Sequence, residues 1–233
     1  NLIAKYLIEL IVIITGISLS FYVDELGKYN NNEKLKNQSL KRILQNLEGD
    51  IKDNRWNYKA VSRSIESGDW IFKNRKRLNN FSRDTIGFHL TRANNFLTIF
   101  VDNQEEYSTL KSSGYIELIK NESIVKSLQN KYVGHGWMKE LEKFIIRISN
   151  TPIEYEHKNS EFINDSLNDL GLPVGKRYVG DLNFPREIIG RIKEKLFWQN
   201  AYLRQIKSRL KKDSLLIVEI ENEVFLDIIF TIF

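Results

Sequence analysis

Three histidines, His89, His135 and His157, are the first residues to weigh for chemistry, because imidazole serves both as metal ligand and as general base near neutral pH. They are scattered, none stands in the His-Glu-x-x-His spacing that sets two ligands on one helical turn, and cysteine is absent, so spacing assembles no zinc set. Each is expected as a surface or capped imidazole. The run Gly171-Leu-Pro-Val-Gly175-Lys176-Arg177 has the outline of a phosphate loop, yet it is one residue short between the glycines and lacks the Ser or Thr that would hold magnesium. Its proline also removes an amide donor. No Gly-x-Ser-x-Gly elbow presents a serine nucleophile, and the adjacent acids Glu105 and Glu106 point to different sides of a helix. The chain therefore reads as no enzyme, with no catalytic residues, no metal and no cofactor.

The remaining group of interest is Glu9, a lone acid in the apolar run Tyr6 to Val23. At about 1.5 Å per helical residue this run reaches about 27 Å, close to the hydrocarbon thickness of a bilayer. Leu10 to Ile14 is apolar all round, which favours a membrane span over a buried amphipathic helix. A retained anchor is expected rather than a cleaved signal sequence, although Ser18-Leu19-Ser20 could pass for a cleavage site. Glu9, Ile13, Gly16 and Ser20 fall on one stripe, and Gly16-x-x-x-Ser20 is a small-x-x-x-small pattern that lets a second helix approach closely. An acid there faces protein, water or a cation rather than lipid. Lys5, one turn away, offers a simpler role in capping the helix start.

The elements behind the anchor are read as helices. Of 233 residues, 42% are hydrophobic and 28% charged, which is one medium domain beyond the span. The formal charge of +5 is spread among 30 acids; only Lys73, Arg75, Lys76 and Arg77 cluster, and they read as a solvated helix end, so no nucleic-acid partner is expected. The only prolines, Pro152, Pro173 and Pro185, lie in the second half, and Lys, Glu, Leu and Ile abound. Residues 1–23 form the anchor, 24–39 a polar neck or helix continuation, 40–223 a helical bundle, and 224–233 an apolar tail rich in strand formers. The fold class is all-α: one N-terminal transmembrane helix leading into an elongated helical bundle.

Within the bundle, Leu40, Leu44, Leu47, Ile51, Asn54, Tyr58, Val61 and Ile65 line one face at alternating spacings of four and three. This stripe is expected to pack on later helices of the same chain, with Asn54 fixing register. Shorter helical pieces follow around Trp70 to Leu78 and Thr85 to Val101. Gly114, in Leu110-Lys-Ser-Ser-Gly114, is expected at positive φ in a structural turn. A helix over Glu122 to Ser149, weakened at Gly134-His135-Gly136, points Ile124, Leu128, Tyr132, Leu141, Phe144, Ile145 and Ile148 inward. Ile153 to Leu170 is read as a shorter helix and Gly171 to Asn183 as a loop. A last helix over Arg186 to Glu223 carries Ile189, Ile192, Leu196, Tyr202, Leu203, Ile206, Leu210 and Leu216 in its core face. Trp56, Trp70, Trp137 and Trp198 are read as core or as membrane-interface anchors.

The anchor, the following LKRILQNLEGDI, and above all Glu105 to Tyr132 (EEYSTLKSSGYIELIKNESIVKSLQNKY) resemble an uncharacterised family of single-span bacterial envelope proteins. The matching positions here are Glu9, Gly16, Leu110 to Gly114 and Leu118 to Asn121. The resemblance implies a layout and no activity. Lys28, Lys34, Lys36, Lys41 and Arg42 follow the span while Lys5 alone precedes it, so charge counting puts the domain in the cytoplasm. The resemblance instead implies a periplasmic domain on the bacterial inner membrane, which is the expectation adopted. The expected partners are membrane lipid and an integral membrane protein or a second copy of the chain. The expected function is that of a scaffold or accessory subunit of a larger envelope assembly. The alternatives are a stator-type ion-pathway subunit using Glu9, and a ligand-sensing bundle.

Overall fold

A chain whose first 151 residues lack proline can hold very long helices, and α1 runs unbroken over Leu2–Asn74. The computed structural model describes residues 2–95, 98–101, 103–163 and 175–232. The polar stretch after the apolar run is therefore helix, and Gly68 and Trp70 lie inside α1 rather than beginning a separate piece. α1 stops at its basic end. Arg75 donates to the Phe72 carbonyl and Arg77 to the Asn74 side chain, so these cations satisfy groups at a helix C-terminus.

A 3-10 turn, Leu78–Asn80, leads to α2, Arg83–Asn95, which ends earlier than the expected Val101. α3, Glu105–Ser112, is followed by Gly114 at φ 76° and a second 3-10 turn, Tyr115–Leu118. Around that turn, Leu110 and Ile119 are buried while Ile116 and Leu118 are half-buried.

α4 spans Glu122–Asn159 and carries Pro152 within it, where two separate helices were expected. A proline inside a helix costs about 3 kcal/mol. Tertiary contacts offset that cost: Pro152 is buried, and its carbonyl accepts a bond from Asn94 Nδ2 at 3.0 Å. The expected continuation to Leu170 fails. Ser160–Phe162 is instead a strand, β1, paired antiparallel with β2, Lys176–Tyr178, in the register Ser160↔Tyr178. Residues 164–174, which hold most of the phosphate-loop-like run, lie outside the described residues. Gly87 on α2 meets β2 so closely that a Cβ there would stand 1.9 Å from the Lys176 carbonyl oxygen. α5 covers Arg186–Ile232, so the apolar tail continues the helix rather than forming a separate segment. How its side chains pack beyond Phe225 lies outside the described residues.

The chain divides into two compact units. One comprises Asn1–Asn46, Asn103–Leu128 and Ile217–Phe233, and the other Leu47–Asp102 and Gln129–Leu216. In the first, Arg42 pairs with Glu106 at 3.2 Å, joining α1 to α3, and Glu223 and Glu219 of α5 accept from Lys120 N and Ser123 Oγ. In the second, Val61, Met138, Leu141, Ile145, Tyr202 and Ile206 form one core cluster, so the α1 stripe packs on later helices of its own chain. A second cluster joins Ile71, Leu78, Ile86, Leu90, Tyr178, Phe184, Ile188 and Ile192.

The buried positions of all three long helices repeat every 3.5 residues. On α1 they are Leu40, Ile43, Leu47, Asp50, Asn54, Asn57, Val61, Ser64, Gly68 and Ile71. Relative to the expected stripe, every second member moves by one residue, from Leu44, Ile51, Tyr58 and Ile65 to Ile43, Asp50, Asn57 and Ser64. Leu44, Tyr58 and Ile65 are left half-buried on the flank, while Ile51 is buried beside Asp50. The same rotation occurs on α5, where Ile188, Lys195, Gln199 and Asp213 are buried and Ile189, Leu196, Leu203 and Leu210 are partly covered. On α4, Tyr132 and Phe144 are likewise flanking rather than central. Trp56 and Trp137 are about half exposed and belong to no core; Trp70 and Trp198 are partly buried against the two clusters.

Candidate functional site

Two places are unusual in opposite ways. The first is the N-terminal stretch of α1. It is long and apolar enough to cross a membrane, and none of it is buried. Leu7, Leu10, Ile13, Ile14 and Ile17 are each more than half exposed. Glu9, Gly16 and Ser20 share one stripe of this open surface, and no atom lies within 4 Å of where a Gly16 Cβ would be. Lys5 Nζ stands 3.9 Å from Glu9 Oε1, one helical turn away. Thr15 Oγ1 turns back to the Ile11 carbonyl at 2.8 Å, so this hydroxyl is satisfied within the helix.

The second is a line of polar side chains buried in the unit that holds most of α4 and α5. Lys131 Nζ lies 2.8 Å from Asp50 and 3.1 Å from Asp213, one group from each of α4, α1 and α5, with all three side chains at most 6% exposed. Farther along, Arg209 bonds His135 Nδ1 at 3.2 Å, and the imidazole rests against Phe100 with ring centroids 5.1 Å apart. His135 is thus buried rather than at the surface. Glu142 Oε1 then accepts from Phe100 N at 3.0 Å and from Tyr202 OH at 2.5 Å. Burial pushes the Glu142 carboxyl above its usual range, although these donors and the nearby His135 and Arg209 favour the anion. A cavity of about 10 Å³ beside it, lined by Val61, Thr98, Gln199 and Tyr202 among others, has room for one water and not for a metabolite.

Beyond the cavity, Gln199 Nε2 donates to Ser64 Oγ, and Ser64 donates to the Ala93 carbonyl at 2.8 Å. Lys195 Nζ reaches the same carbonyl at 2.7 Å and that of Asn94 at 3.0 Å. It thereby satisfies carbonyls of the last turn of α2 from within the core. At the end of the line, Glu156 takes Lys176 Nζ at 2.7 Å and Thr91 Oγ1 at 2.9 Å.

His89 is set apart from this line. Its ring stacks on Trp70 at 4.0 Å and meets Ser67 Oγ at 3.3 Å. Burial, helped by Arg92, holds it below the ordinary histidine value. No group of three metal-ligating side chains occurs among the described residues.

Sequence reasoning singled out Glu9, Gly16, Ser20 and Gly114; of the buried line it set only Tyr202 in a core face, and it put Asn54 in the α1 seam. A usable signal was present: polar residues recur in heptad phase at Lys131, His135, Glu142, Ser149 and Glu156 on α4, and at Lys195, Gln199, Tyr202, Arg209 and Asp213 on α5. The arrangement joins α1, α2, α4, α5 and β2 through buried polar contacts. No family model, curated protein or solved structure matches the chain.

Proposed function

We propose that this chain is a membrane-anchored helical scaffold or accessory subunit of a larger bacterial envelope assembly. α1 crosses the inner membrane through residues 6–23 and carries an elongated helical bundle into the periplasm, the layout that the resemblance to single-span envelope proteins implies. The supporting observation is that α1 displays its apolar N-terminal stretch with none of it buried while being continuous with a segment whose register is pinned by buried ion pairs. An open apolar face of this size is stable only against lipid or another protein. The anchor acts by protein–protein contact, with an integral membrane partner or a second copy on the Glu9, Gly16 and Ser20 stripe.

The Lys5–Glu9 pairing favours structural placement of the acid over ion conduction. In the alternative, Glu9 carries protons or ions beside a partner helix, and Glu9→Gln then abolishes ion movement while leaving assembly intact.

The test is extraction. Washing membranes at alkaline pH should leave the full-length protein in the pellet, and deleting Leu2 to Val23 should release a folded helical product into the supernatant. Appearance of the full-length chain in the wash refutes the anchor. A photo-crosslinker at Ile13 should capture a discrete protein partner or a dimer; adducts to lipid alone refute the scaffold reading and keep the tether.

A further inference from the structure

The last turn of α2 is held by a charge in an unbalanced place. Lys195 lies within the core, 2% exposed, and donates to the Ala93 and Asn94 carbonyls. The anion facing it is Glu156 on α4, which Lys176 of β2 contacts directly at 2.7 Å. Among the described residues, the other elements around it bring dipoles. α1 contributes the Ser64 hydroxyl, α5 itself contributes Gln199, and α4 adds the Pro152 carbonyl, which holds Asn94 Nδ2. The charged residues nearest in sequence are engaged elsewhere: Arg92 pairs with Glu66, and Arg191 with Glu194 on the exposed side of α5. Glu156 is thus bonded to the Lys176 ammonium and pulls on Lys195 across a desolvated site. A proton on Lys195 is tolerated there only against the cost of burial.

We propose that the C-terminal end of α2 is a proton-controlled clasp: it opens when Lys195 is protonated, letting water reach the ammonium, and closes when Lys195 is a neutral amine bonded to the two carbonyls. A neutral amine keeps two N–H donors for two acceptors, so closure loses no hydrogen bond. Burial drives the Lys195 amine down to about 7, against the pull of Glu156. The sign follows from the direction of that shift. Once the end is open, the amine regains an ordinary lysine value above 10, so the open form binds more protons than the closed form between about pH 7 and 10. Opening therefore grows as pH falls through that window and levels off below 7. What opens is the end of α2 with residues 98–101, whose Phe100 amide rests on Glu142.

The experiment is amide hydrogen exchange on the full chain in detergent at pH 7, 8 and 9, corrected for intrinsic rates, read at residues 90–94 and 98–101. The opening constant should increase about tenfold as pH falls from 9 to 8 and about fivefold from 8 to 7, where the closed-form amine itself takes up protons. His89 lies below the window and does not contribute. Glu142, raised by burial, acts in the opposite sense, and it remains in the control variant. Lys195→Met should remove the slope. Lys176→Met, which removes the ammonium bonded to Glu156, should flatten it by raising the lysine back toward its ordinary value. A flat wild-type profile, or a slope that survives in Lys195→Met, overturns the clasp. If Lys195→Met does not fold, an unaltered slope in Lys176→Met overturns it instead. Neither result bears on membrane anchoring, which the alkaline wash tests separately.

Discussion

One helix carries two opposite solutions to the burial problem. Between Leu10 and Val23, α1 sets apolar side chains on every side and none of the stretch is covered; between Asp50 and Asn74, it turns Asp50, Asn54, Asn57, Ser64, Ser67 and Asn74 inward. The usual rule of apolar inside and polar outside is inverted twice along one continuous element. In the first stretch nothing among the described residues covers the exposed area, and on the proposed reading a bilayer or a partner does. In the second, several buried polar groups, though not Asn54, are held by specific partners such as Lys131 and Gln199. Burial frequency alone ranks residues by type, whereas here the available partner decides which side of the helix is inside.

The contrast can be broken most severely at Lys131. Lys131→Met leaves Asp50 and Asp213 buried together without their shared cation, and chemical denaturation should show a loss of about 3–5 kcal/mol. A loss below about 1 kcal/mol would mean that these side chains are solvated and that the polar line is not a structural element.

Asn54 should give a change of opposite sign. It is fully buried, and neither polar atom of its side chain has a hydrogen-bond partner among the described residues. Asn54→Leu is expected to stabilise by about 1–3 kcal/mol, read as a rise in melting temperature. Destabilisation would show that the amide has a partner from solvent or that it guards register.

Gly114 is a milder case, set by backbone alone. At φ 76° with open space around a Cβ, Gly114→Val should cost about 1 kcal/mol or somewhat more by circular dichroism melting, with no steric term added. The smallest effect is expected at Gly16. Gly16→Leu introduces no clash within the chain, so melting of the folded unit should shift by less than about 0.5 kcal/mol, while co-purification with the membrane partner weakens. If assembly is retained, the stripe is not a contact surface.

The sequence made the helical character, the apolar run and the Gly114 turn legible because each depends on local composition: few breakers, one long unbroken apolar window, one glycine after a helical octet. It also delivered half of the α1 seam correctly, at Leu40, Leu47, Asn54 and Val61. The other half was lost because choosing the most apolar residue at each turn selects Leu44, Tyr58 and Ile65 over Ile43, Asn57 and Ser64. The true choice depends on groups far along the chain, such as Gln199 for Ser64. The strand pair escaped for the same reason, since Ser160–Phe162 acquires its conformation from Lys176–Tyr178 rather than from its own composition. Pro152 was read by its intrinsic effect and overruled by the packing around it.

The ion triad also sets a timetable for the chain as it is made. Asp50, Lys131 and Asp213 come from the beginning, middle and end of the sequence, so the first acid waits for its last companion while the residues between them are synthesised. At roughly 5–20 residues per second that interval is on the order of ten to thirty seconds. Throughout it, the apolar stretch of α1 is already free to enter a membrane, whereas the inward face of the same helix has no lasting partner. A segment in that state is a natural client for chaperones. On the proposed anchoring, insertion precedes the completion of the core, and the last helix to emerge is the one that closes it.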